Sequence, residues 1–377
     1  MRTLTDRVKQ LSLESGFELV GISPATPPDH LAFYHHWLGK GYAGEMGYLS
    51  RNISGRSDPT TIVPGAKVLL CVGMIYEPKP QGSAERNRPV GRISKYARGD
   101  DYHDIMKEKL LSLLKKIQEF EPETTGRVYV DTGPVLERDI AARAGLGWFG
   151  KHTNLIHKRK GSWFFLGEII LNLDLDPDSP EPDHCGSCNL CIDACPTDAI
   201  QEPYVLDSRR CISYLTIEMK SEIPRDLRTQ IGDWVYGCDV CQEVCPWNKK
   251  QAKPTTEIAF QSRPGLTFPD LGELLGLSQE EFSRKFRKSP IKRAKRRGLL
   301  RNAAVALGNT GSVEDVPVLN RALKDHEPLV RSHAAWALGR IGGSRAKTAL
   351  EQASKVEPEQ IVRNEIDCAL LDCDQNF

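Results

Sequence analysis

Eight of the eleven cysteines have a spacing that suits iron–sulfur chemistry. The first run, CGSCNLCIDACP, ends in Cys-Pro and places its thiols at Cys185, Cys188, Cys191 and Cys195. The second run, CDVCQEVCP, lacks the first position and places its thiols at Cys238, Cys241 and Cys245. In the bacterial ferredoxin pattern, three cysteines of such a run bind one four-iron cluster and the fourth binds the other cluster. The two runs therefore predict two clusters that exchange one ligand each.

Cross-ligation predicts two ligand sets. The first cluster takes Cys185, Cys188, Cys191 and Cys245. The second takes Cys195, Cys238 and Cys241 and needs a fourth thiolate, which Cys211 between the runs can supply. Two structural zinc sites are the alternative, although zinc motifs rarely crowd three cysteines before a Cys-Pro. The remaining cysteines, Cys71, Cys368 and Cys373, are interpreted as small apolar fillers.

A candidate proton donor, Asp131, ends a predicted strand in the stretch YVDTGPVLERD. Loops after strand ends commonly hold reactive groups in α/β proteins. A carboxyl group there can donate a proton if burial raises its pKa, but Asp131 and Thr132 are equally suited to cap a helix. In DDYHD, His103 is expected to be a surface or capping residue. The glycine-rich stretch 145–155 either admits a bulky planar cofactor or forms a turn, and it is no dinucleotide fingerprint.

The segment 283–301, SRKFRKSPIKRAKRRGLLR, contains ten basic residues and no acidic one. A solvated helix face is one interpretation. Contact with nucleic-acid phosphates is favoured, because no acidic residue within the segment can pair with these cations. Aromatic residues are few, so contacts to phosphates rather than base stacking are expected. The predicted contacts are Arg284, Lys292, Arg293, Lys295, Arg296, Arg297 and Arg301.

The 377-residue chain is long enough for two or three domains, and its net charge of +1 assigns no partner by itself. Alternating signals predict an α/β or α+β domain over 1–180, followed by a cysteine-rich ferredoxin-like insert over 181–250. Residues 251–377 are predicted to form a linker and HEAT-like helical repeats, because RNAAVALGNTGS at 301 matches SHAAWALGRIGGS at 332. The main predicted elements are helices 4–15, 102–120 and 133–147 and strands 66–76, 126–131 and 161–175.

No apolar run is long enough to span a membrane, and the N-terminus lacks a signal-peptide core. A cytoplasmic protein with no membrane contact is therefore expected, and a monomer. In that compartment thiols stay reduced, which favours metal ligation over disulfides for the clustered cysteines.

The chain resembles the epoxyqueuosine reductases in the order of its motifs, which are YVDTGPVLERDIAARAGLGWFGKHTNL, CGSCNLCIDACPTDAI, RRCISYLT and YGCDVCQEVCPWN before a HEAT-like tail. The family looks related to reductive dehalogenases. The resemblance implies an oxidoreductase that reduces epoxyqueuosine to queuosine at the wobble position of tRNA, the last step of queuosine biosynthesis. It implies cobalamin, two 4Fe-4S clusters that relay electrons, and a low-potential donor such as flavodoxin or ferredoxin.

By the same resemblance, Asp131 in the VDTG motif is the acid that protonates the departing oxygen. The N-terminal domain is then the cobalamin-binding domain. Its cofactor contacts by motif position are Ser94, Asp131, Lys151, Leu155, Ser162, Leu166, Ser213, Gly237, Asp239 and Val240. Some relatives have a cysteine near the cobalt where this chain has Ser94, so the resemblance does not extend to a cysteine ligand.

Two other functions are compatible with the cysteine runs. An electron-transfer adaptor would use the solenoid to bind a partner protein, and Asp131 would then be a helix cap. A reductive dehalogenase of small organohalides would normally carry an export signal, and it would have no use for a basic solenoid. A retained corrin absorption band would distinguish the enzyme from the adaptor.

Overall fold

The computed structural model describes residues 3–80 and 88–375. Within these ranges the α-helices, α1 to α17, are Leu4–Glu14, Leu31–Gly39, Ile53–Ser57, Tyr102–Phe120, Glu137–Arg143, Leu190–Asp193, Ile212–Ile217, Arg225–Arg228, Val240–Glu243, Pro246–Gln251, Leu271–Leu275, Gln279–Lys285, Lys295–Thr310, Val316–Ala322, Pro328–Ile341, Gly343–Ser354 and Gln360–Gln375. The strands, β1 to β10, are Leu19–Pro24, Val68–Ile75, Arg92–Ile93, Gly126–Tyr129, Trp148–Phe149, Leu155–Ile156, Phe164–Leu171, Ile200–Glu202, Val205–Leu206 and Trp234–Tyr236. Short 3-10 helices are Gly47–Ser50, Pro59–Thr61, Lys95–Ala97, Ser208–Arg210, Thr229–Ile231, Ile258–Phe260, Pro290–Ala294 and Val313–Asp315.

The chain forms two compact units, each assembled from three separate stretches. The first unit comprises Met1–Lys79, Asp100–Ser208 and Val240–Gln261, and the second comprises Pro80–Gly99, Arg209–Asp239 and Ser262–Phe377. The cysteine-rich segment is therefore divided between the two units. The domain boundaries predicted near residues 180 and 250 stay a prediction.

The first unit is built on a four-stranded sheet in the order β1-β2-β7-β4, in which all neighbouring strands are antiparallel. All eight residues of β2 are buried, which explains why its sequence is a continuous apolar run. The strands predicted at 66–76, 126–131 and 161–175 are confirmed with shorter bounds. The antiparallel pairing makes this unit α+β, the second of the two fold classes expected.

The loop between β4 and α5 differs from the prediction, because helix α5 begins at Glu137 and not near residue 133. Gly133 lies so close to the Tyr129 ring that a Cβ atom there would be 2.5 Å from Cγ of Tyr129. Only glycine permits this approach, and the chain turns here before it can become helical. The predicted helix over 102–120 is confirmed as α4 with these bounds.

In the second unit, α13, α15 and α17 pack against one another in succession, and α14 and α16 connect them. Gly308 and Gly339 occupy the same position in the two matching sequences. A Cβ atom at Gly308 would lie 2.9 Å from Cα of Ala337, and one at Gly339 would lie 2.8 Å from Cα of Ala369. The repeated glycine therefore lets each long helix approach the next at backbone distance. This confirms the HEAT-like repeat.

None of the helices in the described part of the chain is long and apolar enough to cross a membrane.

Candidate active site and cluster cysteines

The first unit contains a cavity of about 250 Å³ beside the two cysteine runs. Its lining includes the four thiols predicted for the first cluster, Cys185, Cys188, Cys191 and Cys245. The short helices of the two runs, α6 and α9, pack against each other in this unit. The structure therefore brings together the four cysteines that cross-ligation assigns to one cluster.

Three of the thiols around this cavity are hard to ionise. Burial raises the pKa of Cys191 to about 11 and also raises the pKa of Cys185 and Cys245. Such thiols become thiolates only when a cationic group compensates their charge. Four thiols that line one cavity fit a four-iron cluster, which would supply the compensating charge.

Lys151 holds the loop of the first cysteine run. Its Nζ donates to the carbonyl oxygen of Gly186 at 2.8 Å and to Oδ1 of Asn189 at 2.9 Å. The Lys151 residue is only 8% exposed. Its side chain thus positions the cysteine loop, a role without a signal in the sequence, and its expected contact with cobalamin stays a prediction.

The cysteines predicted for the second cluster are divided between the units. Cys195 and Cys241 belong to the first unit, and Cys211 and Cys238 belong to the second. Each of the four is half-buried. Cys195 Sγ accepts the N–H of Ala199 at 3.2 Å, the kind of hydrogen bond that tunes a cluster thiolate. Ligation of a second cluster by this set stays a prediction.

Asp131 lies in the loop between β4 and α5 with a φ of 57°, in the left-handed region that few non-glycine residues adopt. Its N–H donates to Oε1 of Glu137 at 2.5 Å, and its Oδ2 lies 3.2 Å from Nε2 of His103. The side chain keeps 60% of its surface accessible. Helix α5 begins six residues later without a side-chain cap, so the capping role considered for Asp131 is wrong.

His103, which was expected to be a surface or capping residue, lies between two carboxylates. Its Nδ1 is 2.7 Å from Oδ1 of Asp101, while its Nε2 faces Asp131. Burial opposes the charged ring, but the two carboxylates outweigh it and raise the pKa of His103 to about 9. At neutral pH the ring is therefore a cation with a proton directed at Asp131. The sequence contains no signal for this contact, because 28 residues separate the partners.

The His103 cation also determines the charge of Asp131. Much of the Asp131 side chain is accessible, but the surrounding protein removes part of its solvation, which by itself would raise the pKa of Asp131. The hydrogen bond and positive charge of His103, together with a hydrogen bond from Tyr102, outweigh this and lower the pKa of Asp131. Tyr102 is held by a parallel stack on Phe165, with ring centroids 4.1 Å apart.

Replacing His103 by Gln should change the pH dependence of stability. Because the pKa of His103 is raised from 6.5 to about 9, its ion pairs contribute fully below pH 6.5 and are lost as the pH rises through about 9. The difference in melting temperature between parent and His103→Gln should therefore be largest at acidic pH and disappear above pH 9. Melting scans across this range measure it, with His35→Gln on α2 as the control. A difference that is independent of pH would contradict a charged His103.

The cobalamin contacts predicted in the first unit differ in accessibility. Leu155 is 3% exposed within the apolar core, and Ser162 is 4% exposed. Ser162 Oγ donates to Oε1 of Gln242 at 2.7 Å, so its side chain serves an internal network. Leu166 and Val240 are half-buried and can present surface to a ligand, as can Asp131.

In the second unit, Ser94 and Asp239 are buried and bond to each other, with Ser94 Oγ donating to Oδ1 at 2.5 Å. Gly237 has a φ of 68°, and a Cβ atom there would lie 2.6 Å from Cβ of Ser94. These three residues fix a turn. Ser213 is half-buried and keeps accessible surface.

The basic segment is not a uniform cationic surface. Arg301 is fully buried, and its guanidinium donates to the carbonyl oxygens of Leu215, Met219 and Ser221. Its predicted contact with nucleic acid is therefore wrong. Arg301 is therefore a buried residue that holds the turn after α7 through hydrogen bonds, and not a surface cation.

Arg296 is also wrongly predicted. It is 8% exposed, pairs with both carboxylate oxygens of Asp325, and donates to the carbonyl of Leu277 at 2.7 Å. Arg293 is exposed but pairs with Glu218 at 2.9 Å. Acidic partners distant in sequence therefore neutralise part of the run. Arg284, Lys292 and Lys295 are exposed and Arg297 is half-buried.

Three protein-family models match the chain. A 4Fe-4S double cluster binding domain matches residues 184–248, an epoxyqueuosine reductase model matches residues 56–132, and HEAT repeats match residues 292–370. The epoxyqueuosine reductase of Xanthomonas campestris pv. campestris is 44% identical over 340 residues, which is 89% of this chain and 96% of that protein. That of Escherichia coli is 40% identical over 340 residues, or 90% of this chain and 89% of that protein.

Solved structures of the same enzyme are similar over nearly the whole chain. Epoxyqueuosine reductase in complex with an epoxyqueuosine-modified tRNA-Tyr stem loop has a TM-score of 0.93 at 31% identity, covering 98% of this chain and 99% of that one. The Bacillus subtilis enzyme, described with an aspartate catalytic loop swung out of the active site, has a TM-score of 0.91 at 30% identity and covers 98% of both chains.

Proposed function

The chain belongs to the epoxyqueuosine reductase family and is an oxidoreductase, and on that basis we propose that it reduces epoxyqueuosine to queuosine at the wobble position of tRNA. The observation that supports this most directly is the similarity to a solved relative bound to an epoxyqueuosine-modified stem loop. Family membership also disfavours the electron-transfer adaptor. In this proposal the reaction is the last step of queuosine biosynthesis.

The reaction consumes two electrons and two protons, breaks both C–O bonds of the epoxide, forms a C=C bond and releases water. We assign the protonation of the departing oxygen to Asp131. His103 holds a proton at neutral pH and lies 3.2 Å from the Asp131 carboxylate. When bound substrate displaces water, the ionised pair loses solvation, and transfer of this proton from His103 to Asp131 becomes favourable. Asp131 then donates it to the oxygen. The aspartate loop named in the Bacillus subtilis relative supports this assignment.

We propose two 4Fe-4S clusters as the electron relay. The first would be held by Cys185, Cys188, Cys191 and Cys245, which line one cavity. The second would be held by Cys195, Cys211, Cys238 and Cys241. The electron donor is proposed to be flavodoxin or ferredoxin. The monomeric state and the cytoplasmic location stay predictions.

Cobalamin is proposed as the second cofactor, and it would supply a nucleophilic, strongly reducing metal centre when bound. In the first unit, Asp131, Leu166 and Val240 have accessible surface that fits such a ligand. The contacts expected for Ser94, Lys151, Leu155, Ser162, Ser213, Gly237 and Asp239 stay predictions. An open carboxyl beside a protonated ring provides the acid that this chemistry needs.

Metal analysis and turnover test the proposal together. Protein purified without air and incubated with cobalamin should contain about eight irons and one cobalt per chain, and it should convert epoxyqueuosine in tRNA to queuosine. Irons without cobalt, or no conversion by metal-loaded protein, would contradict it.

We propose that the exposed cations Arg284, Lys292 and Lys295 and the half-buried Arg297 contact tRNA phosphates. Reversing two of them, in the double variant Lys292→Glu and Lys295→Glu, should weaken binding of the tRNA stem loop. The slope of log Kd against log salt should fall by about 2, since each phosphate contact contributes about 0.7–0.9. Lys355→Glu, at an exposed residue directly after α16, is the matched control. An unaltered slope would show that the segment is only a solvated face.

A further inference from the structure

Glu168 is an acidic side chain in the interior of the central sheet. It lies on β7, opposite Cys71 of β2 and Tyr129 of β4, and it is 0% exposed. Neither of its carboxyl oxygens receives a hydrogen bond from any described residue. An ionised carboxylate in such a place would be severely destabilising, so the group keeps its proton. Burial accordingly raises the pKa of Glu168 well above its ordinary value.

The neighbour of Glu168 is a second carboxyl group. Glu137, in the first turn of α5, lies within hydrogen-bonding reach of it. Two carboxyl groups bond to each other only if one carries a proton, and in a poorly solvated site both cannot ionise. Burial, and next the charge of Asp131, raise the pKa of Glu137 to about 8. Glu168 therefore keeps its proton at neutral pH, and Glu137 is largely protonated as well.

Glu137 connects this pair to the catalytic loop. Its Oε1 accepts the backbone N–H of Asp131 at 2.5 Å, at the residue whose φ is 57°. This hydrogen bond stabilises a backbone conformation that aspartate adopts rarely. Glu137 thus links the buried sheet to the backbone of Asp131, and it acts without contacting substrate.

We propose that the buried Glu168 and the half-buried Glu137 form a positioning device for Asp131, in which Glu137 accepts the Asp131 N–H and so holds the loop in place, while Glu168 keeps its proton and supports Glu137 by a hydrogen bond. The proposal rests on the role of Asp131 as acid. The other ionisable groups around the pair are Cys71, His103, Arg138 and Arg143.

Isosteric and apolar variants separate positioning from simple packing. Glu168→Gln keeps a hydrogen-bond donor toward Glu137, so kcat should stay within about threefold of the parent. Glu168→Leu removes the donor and should lower kcat by about a hundredfold with KM for tRNA unchanged, since binding is not affected. Glu137→Gln keeps an oxygen that can accept the Asp131 N–H, so its kcat should also stay near that of the parent, whereas Glu137→Leu removes the acceptor and should lower kcat as Glu168→Leu does. Exposed Glu108→Gln on α4 is the control.

Stability provides a readout that is independent of turnover. The native pair binds more protons than the unfolded chain between the ordinary value of 4.5 and about 8, so the melting temperature should fall as the pH rises through this window. Glu168→Gln should reduce that fall, because the amide cannot carry the proton that Glu168 retains in the native state. An unchanged fall would overturn the protonated state of Glu168. Full turnover by Glu168→Leu would overturn the positioning role alone, whereas a metal-loaded parent that cannot reduce epoxyqueuosine in tRNA would overturn the proposed function.

Discussion

Asp131→Asn should lower turnover by about a thousandfold while tRNA binding and both metal contents stay at the parent level. The amide cannot donate an acidic proton, but it has almost the same shape. Asparagine is tolerated in the left-handed region, so the φ of 57° at this position should persist. The backbone N–H still reaches Glu137, and the amide oxygen can still accept from His103. The variant therefore tests chemistry and not folding.

Single-turnover rates at saturating tRNA measure this effect. The matched control is Asp104→Asn, an exposed carboxylate one residue from His103 that should leave the rate within about twofold. If Asp131→Asn turns over at the parent rate, Asp131 is not the proton donor. If it loses iron or cobalt, its effect is structural and the assignment of the acid must be abandoned.

Replacement of one cluster cysteine should abolish turnover through the loss of a single cluster. Cys191→Ala removes a thiol from the cavity in the first unit, so about four of about eight irons should be lost. Cys211→Ala should remove about the same number from the other cluster. In both variants electrons no longer reach the substrate, and activity with a protein donor should fall to background.

Iron analysis and the electron paramagnetic resonance spectrum of the reduced protein identify which cluster remains. Cys368→Ala is the control, because Cys368 is exposed and lies outside both runs, and it should retain all the iron. The two ligand variants should show different residual spectra. Full iron content in Cys211→Ala would show that the second cluster takes its fourth ligand elsewhere.

The sequence by itself determined the features that depend on local spacing. The cysteine runs specify their chemistry because converging thiolates must lie a few residues apart, and cross-ligation then predicts that Cys245 joins the first run. The repeat was evident because Gly308 and Gly339 must both admit a neighbouring helix. The strands and α4 were predictable because burial imposes a periodicity that neighbouring residues share.

Only the tertiary structure decided how charged groups are used, because the free energy of a charge depends on partners distant in the chain. Arg301 and Lys292 are alike in the sequence, yet one is buried among carbonyl oxygens and the other is exposed. His103 becomes a cation because Asp101, near it in the chain, and Asp131, brought by the β4–α5 loop, both lie beside it. In the sequence, Glu168 is a single polar residue in an apolar strand. It lies near Glu137 only because α5 packs on the sheet. Local patterns determine which elements form, whereas packing determines the electrostatics of the site.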